Sequence, residues 1–383
     1  MAKDAPLKIG LVLDDGLDNS DGVQQYILSM GAWLSSEGHS VHYLVGQTAR
    51  QDIPHIHSLA RNIHVSSNGN QMTIPLPARR SKLKNLLQKE KFDVLHVQTP
   101  YSPFMGGRLV QLASPQTAVI GTFHILPNSR IVTVGNRLLG IWCKRSLKRF
   151  DVMLSVSLAA ANFALQTFKI DSAILPNVID YERFAAARPL PQYDDSVVTI
   201  LFLGRLVKRK NCLLLVQALG KLRLENKSIK FRLIICGRGP LEAKLKQAVK
   251  TLGLEDVTEF AGFVSEDIKP SYYASADLTV FPSSGGESFG IVLLEAMASG
   301  RSAVLAGNNP GYASVLAPQP ELLFDVSSPN QLTKLLQDHM QNAELRQKQA
   351  QWGQHYAQQF DVHVVGPQLV TVYNKALRKR RRQ

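Results

Sequence analysis

Apolar and polar positions along this chain alternate in blocks. KIGLVLDD (8–15) is a short apolar run entering a turn, DNSDG (18–22), and VQQYILSMGAWLSSEG (23–38) then repeats its apolar residues at helical spacing until Gly38 closes it. SVHYLV (40–45) predicts the next strand. Further strands are predicted at DVLHVQ (93–98), AVIGTFH (118–124), VMLSVS (152–157) and AILPN (173–177), with helices around 104–113 and across 133–149. Strands alternating with helices imply βαβ units and a parallel sheet covered on both faces.

The text changes between Asp180 and Ser196, where YERFAAARPLPQYDD is rich in Ala and Pro and has no periodicity. The alternation then restarts with VVTILFLG (197–204), FRLIICG (231–237), a strand near 257–260, LTVFPS (278–283) and SAVLAG (302–307), each separated by a helical stretch. From about residue 330 the chain reads as polar helix. The expected organisation is an N-terminal Rossmann-like domain (1–190), a second one (191–360), and a C-terminal helix with a basic tail (361–383) that packs back on the first. Two such domains would face each other across a cleft at the carboxyl ends of their sheets, where ligands of open α/β folds bind.

A length of 383 residues suits two domains of ordinary size, and 45% hydrophobic with 19% charged residues is a soluble composition. No apolar run approaches the roughly 18 residues that a spanning helix needs. The N-terminus, MAKDAPLKIGLVLDD, meets acidic residues too soon for a signal peptide. Cys143, Cys212 and Cys236 are scattered, with no CxxC, which fits a reducing cytoplasm rather than a disulfide framework or a structural zinc site. Lys+Arg 44 against Asp+Glu 30 leaves +14, a surplus that wants an anionic partner. It is densest at 78–91, CKRSLKR (143–149), RLVKRK (205–210) and RKRRR (378–382), all lacking the interleaved aromatics of a nucleic-acid site.

The stretch that carries chemistry is GGESFGIVLLEAMASG (285–300). Its apolar residues from Ile291 onward cover nearly every face, as in a helix buried all round, yet Glu295 sits within it and Glu287 just before it. Backbone amides near Ser288, Phe289, Gly290 and Ile291 can present N–H groups and the positive helix end to an anion. Glu295, one turn on, leans back toward that end and suits a ribose diol, while Glu287 in the preceding loop suits the hydroxyls of a sugar.

This segment resembles the E-x7-E signature of retaining nucleotide-sugar glycosyltransferases of the GT-B fold, family GT4. DGVQQY, DVLHVQTPYSP, GTFH, ILPNVID, FLGRLVKRKN, CGRGPLEAKL and YYASADLTVFPS fall in that family's order over about residues 8–310. In motifs the resemblance narrows to bacterial phosphatidylinositol mannosyltransferases. It implies transfer of a hexose from a nucleoside diphosphate sugar to an acceptor hydroxyl with retention. Arg205 and Lys210 would stabilise the leaving diphosphate, His124 would support the donor sugar near its anomeric carbon, and Gly22 would allow close backbone approach to a phosphate or acceptor. The family often has two glycines there, where this chain has Asp21-Gly22. Lys208 and Arg209 read as surface, and His96 as structural.

No cofactor or metal is expected. Asp14 and Asp15 follow the first strand, but adjacent carboxylates in extended backbone point apart, and fixed cations replace Mg²⁺ beside a diphosphate. ARRSKLKNLLQKEKF (78–92) reads as a helix with Leu83, Leu86 and Leu87 on one stripe and basic residues, among them Arg79, Arg80, Lys82 and Lys84, around it. It predicts docking to an anionic membrane surface, the leucines entering the interface, and so a peripheral protein on the cytoplasmic face with a lipid acceptor. A soluble sugar acceptor, a GT-B relative with epimerase or phosphorylase chemistry, and nucleic-acid binding are the competing readings.

Overall fold

The computed structural model describes residues 5–18, 21–67, 70–126 and 130–382; Asn19 and Ser20 of the DNSDG turn and the first four residues of the N-terminal run lie outside the described residues. The described residues form two compact units: those up to 67, 71–178 and 362 onward make unit 1, and 179–361 make unit 2.

Unit 1 holds the strands β1 (Lys8–Leu13), β2 (Ser40–Val45) and β3 (Ile56–Ser58), with the two-stranded pair β4 (Asn62–Ser67) and β5 (Asn70–Pro75) following in sequence. β6 (Val94–Gln98), β7 (Ala118–Phe123), β8 (Val152–Ser155) and β9 (Ala173–Ile174) complete its main sheet, whose order is β3-β2-β1-β6-β7-β8-β9. Its helices are α1 (Gly22–Ser36), α2 (Arg80–Glu90), α3 (Gly106–Leu112), α4 (Arg130–Trp142), α5 (Lys144–Leu147) and α6 (Leu158–Phe168). All pairings in this sheet are parallel, so both faces are buried and β1 alternates between two cores. Ile9, Leu11 and Leu13 pack with Ile27, Met30 and Leu34 of α1, while Val12 packs on the other face with Leu95, Leu83 of α2 and Leu109 of α3.

In unit 2, α7 (Tyr181–Ala185) precedes β10 (Val198–Leu203), α8 (Cys212–Glu225), β11 (Phe231–Cys236), α9 (Glu242–Thr251), β12 (Thr258–Gly262) and α10 (Lys269–Ala274). β13 (Leu278–Phe281), α11 (Ile291–Ala298), β14 (Ala303–Gly307), α12 (Pro310–Val315), β15 (Leu323–Phe324), α13 (Pro329–Gln341) and α14 (Ala343–Ala357) follow. The sheet runs β12-β11-β10-β13-β14-β15. α15 (Val362–Arg381) then returns to unit 1, where Val365, Leu369, Tyr373 and Leu377 enter the α1 core. Each sheet reverses its strand order at one place, between β1 and β6 in unit 1 and between β10 and β13 in unit 2. Open α/β folds bind ligands outside the carboxyl ends of the strands at that switch point.

Three expectations change here. The Ala- and Pro-rich segment at 181–195 is no linker: Tyr181, Phe184 and Tyr193 are buried, the Phe184 ring lies 6.0 Å from that of Tyr273, and the Leu190 amide donates to Ser275 Oγ at 2.8 Å. The units therefore divide after Val178 rather than after 190, and α15 begins at Val362. The single helix across 133–149 is two, with Cys143 between α4 and α5. The expectation that Leu83, Leu86 and Leu87 enter a lipid interface is corrected. Leu83 is fully buried and the other two pack against the same core, so the apolar stripe of α2 is filled by the chain's own sheet. Arg79, Arg80, Lys82 and Lys84 remain exposed, with Lys82 donating to the Ser58 carbonyl at 2.8 Å.

α15 is held by a polar contact as well as by apolar ones. His96 of β6 is wholly buried, 2.7 Å from the Tyr373 hydroxyl through Nδ1 and 2.7 Å from Thr122 Oγ1 through Nε2. Burial lowers its pKa from the ordinary 6.5 to about 3, so the folded chain keeps it neutral. The unfolded chain takes up that proton near the ordinary value, so the stability it gives is complete above pH 6.5 and is lost as the pH falls toward 3. Urea denaturation of the wild type should lose about 2 kcal/mol more between pH 7 and pH 5 than that of His96→Gln; equal losses would show that His96 titrates normally.

Candidate active site

Unit 2 brings together two loops at its switch point. The first leaves β10 as Gly204-Arg205, makes a tight turn over Lys208–Lys210, and enters α8 through Asn211, whose φ of 54° is left-handed. The second leaves β13 and runs from Pro282 to Gly290 before α11. They are stitched by the Ser284 amide, which donates to the Arg209 carbonyl at 2.8 Å.

Glu287 is where they meet. Its Oε1 accepts from Arg209 Nη1 at 2.6 Å, Lys210 Nζ at 2.9 Å and Ser283 Oγ at 2.8 Å. Burial opposes the charge, but Lys210 and Arg209 together outweigh it and hold the carboxyl below the ordinary value, so Glu287 is an anion. Arg209, expected at the surface, is thus a member of the site, because the tight turn at 208–210 swings it inward and leaves Lys208 exposed. The sequence shows three consecutive cations and gives no sign of which face the loop. Arg205 lies at the exit of β10, half-buried.

The loop's shape is set from behind. Gly311 of α12 lies so close that a Cβ there would stand 2.2 Å from the Glu287 carbonyl oxygen. Gly290 has a φ of 121°, which disfavours any side chain, and a Cβ would meet the Tyr312 ring at 2.7 Å. Asn309 caps α12 through the Tyr312 amide and also donates to the Ser283 carbonyl at 3.0 Å. Of the residues expected to offer amides, Ser288 and Ile291 are half-buried, while Phe289 is buried with its ring edge-on to Phe360 at 5.8 Å. The Phe289 side chain therefore builds the core, and its backbone alone is available for such a role.

Glu295 has partners inside the fold. It is 3% exposed, its Oε1 is 2.8 Å from Lys269 Nζ, and its Oε2 accepts from the Tyr273 hydroxyl at 3.2 Å. Lys269 also meets Glu266 at 2.6 Å. Burial pulls the Lys269 pKa down, but the two carboxylates more than reverse this and leave it raised. Lys269 and Tyr273 sit more than twenty positions away on α10, and nothing in their local pattern announces the contact.

In unit 1, His124 follows β7 and is 4% exposed. Its Nε2 lies 2.6 Å from Gln98 Oε1, so this nitrogen carries the proton and donates, and the Tyr26 ring of α1 lies 4.9 Å away. Burial lowers His124 to about 3, which leaves it neutral. Gly22 opens α1 and is half-buried, with Asp21 at the N-cap. Asp14 and Asp15 do diverge: Asp14 accepts from Ser102 Oγ and, at 2.7 Å, from the Gly106 amide, whereas Asp15 accepts from the Gly16 amide at 2.7 Å and from Gln24. Among the described residues no group of three or more His, Cys, Asp or Glu is placed to hold a metal ion.

Two parallel-sheet, Rossmann-like halves are the architecture of the GT-B class of glycosyltransferases, and comparison with known proteins agrees. The model described as "Glycosyl transferases group 1" matches residues 188–356, and that described as "Glycosyltransferase Family 4" matches residues 20–183. The chain is 30% identical over 376 residues to the phosphatidyl-myo-inositol mannosyltransferase of Mycobacterium tuberculosis (strain CDC 1551 / Oshkosh), covering 96% of each. To that of Propionibacterium freudenreichii it is 27% identical, over 97% of this chain and 95% of the relative. Among solved structures, sucrose-phosphate synthase from Thermosynechococcus elongatus superposes with a TM-score of 0.76 at 20% identity, covering 96% of this chain and 98% of that one. Anabaena HepE, in complex with UDP and glucose, gives 0.75 at 17%, covering 96% and 100%. The chain belongs to glycosyltransferase family 4, group 1 type, and is a transferase.

The Lys269–Glu295 pair makes a direct forecast. Lys269→Met leaves a buried carboxylate without its cation and should destabilise unit 2 by about 3–5 kcal/mol, while adding Glu295→Leu should restore most of the loss. Equal denaturation midpoints for wild type and Lys269→Met would refute the pairing.

Proposed function

We propose that the protein moves a hexose from a nucleoside diphosphate sugar to a hydroxyl of a membrane phospholipid head group, retaining the anomeric configuration and using no divalent metal. The observation that carries the donor half is the convergence on Glu287. Arg209 and Lys210 set two cations against the single carboxylate of Glu287, and Arg205 stands at the start of the same loop, so the loop carries positive charge beyond what Glu287 offsets. A nucleotide sugar's diphosphate carries two negative charges and gains a third as the C1–O bond breaks, so the surplus is greatest in value at the transition state.

In this reading Arg205 and Lys210 take the diphosphate, helped by the amides of Ser288, Phe289, Gly290 and Ile291. Arg209 keeps Glu287 ionised and aimed, and Glu287 accepts from the sugar's hydroxyls. Glu295 serves the ribose, with Lys269 and Tyr273 fixing its carboxylate. His124, held neutral by burial and donating from Nε2 to Gln98, supports the donor sugar from the end of β7. Gly22 gives the acceptor or its phosphate access to backbone. The acceptor oxygen bonds to C1 on the face from which the diphosphate departs as the C1–O bond to phosphate breaks. The departing phosphate oxygen receives the acceptor's proton, so retention needs neither a protein nucleophile nor a protein base. The lipid acceptor is supported by the named activity of the mannosyltransferase relatives and by the exposed Arg79, Arg80, Lys82 and Lys84. No helix among the described residues is long and apolar enough to cross a membrane, which agrees with peripheral attachment.

A panel of nucleotide sugars screened by thermal shift identifies the donor, since a ligand of the folded state raises its apparent stability. With that donor, Glu287→Gln and Lys210→Ala should each lower kcat by about a hundredfold or more, and the wild type should turn over undiminished in a chelator. Arg209→Ala should fall with them, because Glu287 then loses a holding charge. Normal kinetics in Glu287→Gln, or a strict need for Mg²⁺ or Mn²⁺, would overturn the mechanism; phosphate serving as cosubstrate without a nucleotide would make this a phosphorylase.

A further inference from the structure

The C-terminal half of α4 presents its apolar side to water. Leu138 is 64%, Ile141 72% and Trp142 68% exposed, and their i, i+3, i+4 spacing sets them on one stripe. The opposite stripe, Asn136, Leu139, Gly140 and Cys143, is the one that docks. Asn136 and Cys143 are buried, a Cβ on Gly140 would stand 2.8 Å from the Phe168 ring, and the Cys143 thiol donates to the Tyr101 carbonyl at 3.2 Å. A helix on a water-soluble surface is built the other way round, with its large apolar residues inward. Trp142 is propped against Phe104, ring edge to face at 6.0 Å.

Positive charge follows directly. Lys144, Arg145 and Lys148 of the next turn are exposed, and the nearby acid, Asp151, is already taken by Arg149 at 3.4 Å and Arg380 at 2.6 Å. A tryptophan with two aliphatic residues, rimmed by cations on long stems, matches the boundary between acyl chains and anionic head groups. A second copy of this chain is a poorer occupant, because two-fold pairing of the stripe would bring two sets of the same cations together.

We propose that Leu138, Ile141 and Trp142 insert into the acyl boundary of an anionic bilayer while Lys144, Arg145 and Lys148 pair with phosphates around them. The proposal rests on the lipid-acceptor reading for its purpose, and moves the insertion from α2, whose leucines are buried, to α4. Vesicles of mixed phosphatidylglycerol and phosphatidylcholine with brominated acyl chains should quench the wild type's tryptophan emission, and Trp142→Phe should remove that quenching while Trp33 and Trp352 stay in place. Leu138→Ser/Ile141→Ser should bind these vesicles at least roughly tenfold more weakly, and Lys144→Ser/Arg145→Ser/Lys148→Ser roughly a hundredfold. Both variants should keep the wild-type melting temperature and the wild-type rate on a deacylated, water-soluble acceptor. Quenching that survives Trp142→Phe, unchanged vesicle affinity in Leu138→Ser/Ile141→Ser, or a wild-type dimer that this variant dissolves with no effect on vesicles would overturn the proposal. Glycosylated vesicle lipid without Trp142 quenching would also overturn it and leave the acceptor reading standing, whereas quenching with no lipid glycosylated would uphold the docking surface and remove that reading.

Discussion

A carboxylate enclosed at the end of a parallel sheet stays ionised where the fold sets opposing charge against the cost of burial, and Glu287 is such a group. Its partners come from the loop of the neighbouring strand, so β10 and β13 must be adjacent before the site exists. Much of the local architecture follows from that demand. Gly311 lets α12 press against the Glu287 backbone, Gly290 turns the chain into α11, and Asn309 ties the cap of α12 to the carbonyl of Ser283. The glutamate is positioned from three sides by contacts within the fold, which is what a site needs if it is to be formed before a substrate arrives.

Unit 1 solves the opposite problem. Its sheet holds His96, within β6, and His124, just after β7, neutral by burial rather than by charge, with Gln98, Thr122 and Tyr373 as partners. The two units thus set these titratable groups by different means, cations around Glu287 and burial around the two histidines. The same contrast separates the two glutamates of the signature. Glu287 is surrounded by cations at the edge of a loop, while Glu295 is enclosed, one ammonium and one phenol serving its two oxygens.

Most strands were legible because a parallel sheet buried on both faces writes itself as continuous apolar runs. The exceptions are β3 and β15, of three and two residues and too short to leave a pattern, and the six-residue strands β4 and β5, which pair with each other outside the parallel sheet. GGESFG was legible as a tight loop that carries an acid into an apolar helix, since its glycines stand directly before the apolar run of α11. The partners of its acids were not, because Lys269 and Arg209 look like any other surface cations until their helices and turns are packed. Amphipathic stripes carry a related ambiguity. The spacing of Leu83, Leu86 and Leu87 announces a one-sided helix but not which way that side faces, and the small residues at 136, 140 and 143 that dock α4 are weaker signals than the large ones they leave outside.

The path of the backbone has a further consequence. Unit 2 is inserted within unit 1, for α15 supplies Val362, Val365, Leu369, Tyr373, Ala376 and Leu377 to a core whose other buried members precede residue 179. On a ribosome, unit 2 is complete and able to fold while unit 1 still lacks one wall. Until α15 emerges, the apolar face of α1 stays open to the cytosol, and a pause in translation near residue 361 would leave a half-formed protein that holdase chaperones should recognise.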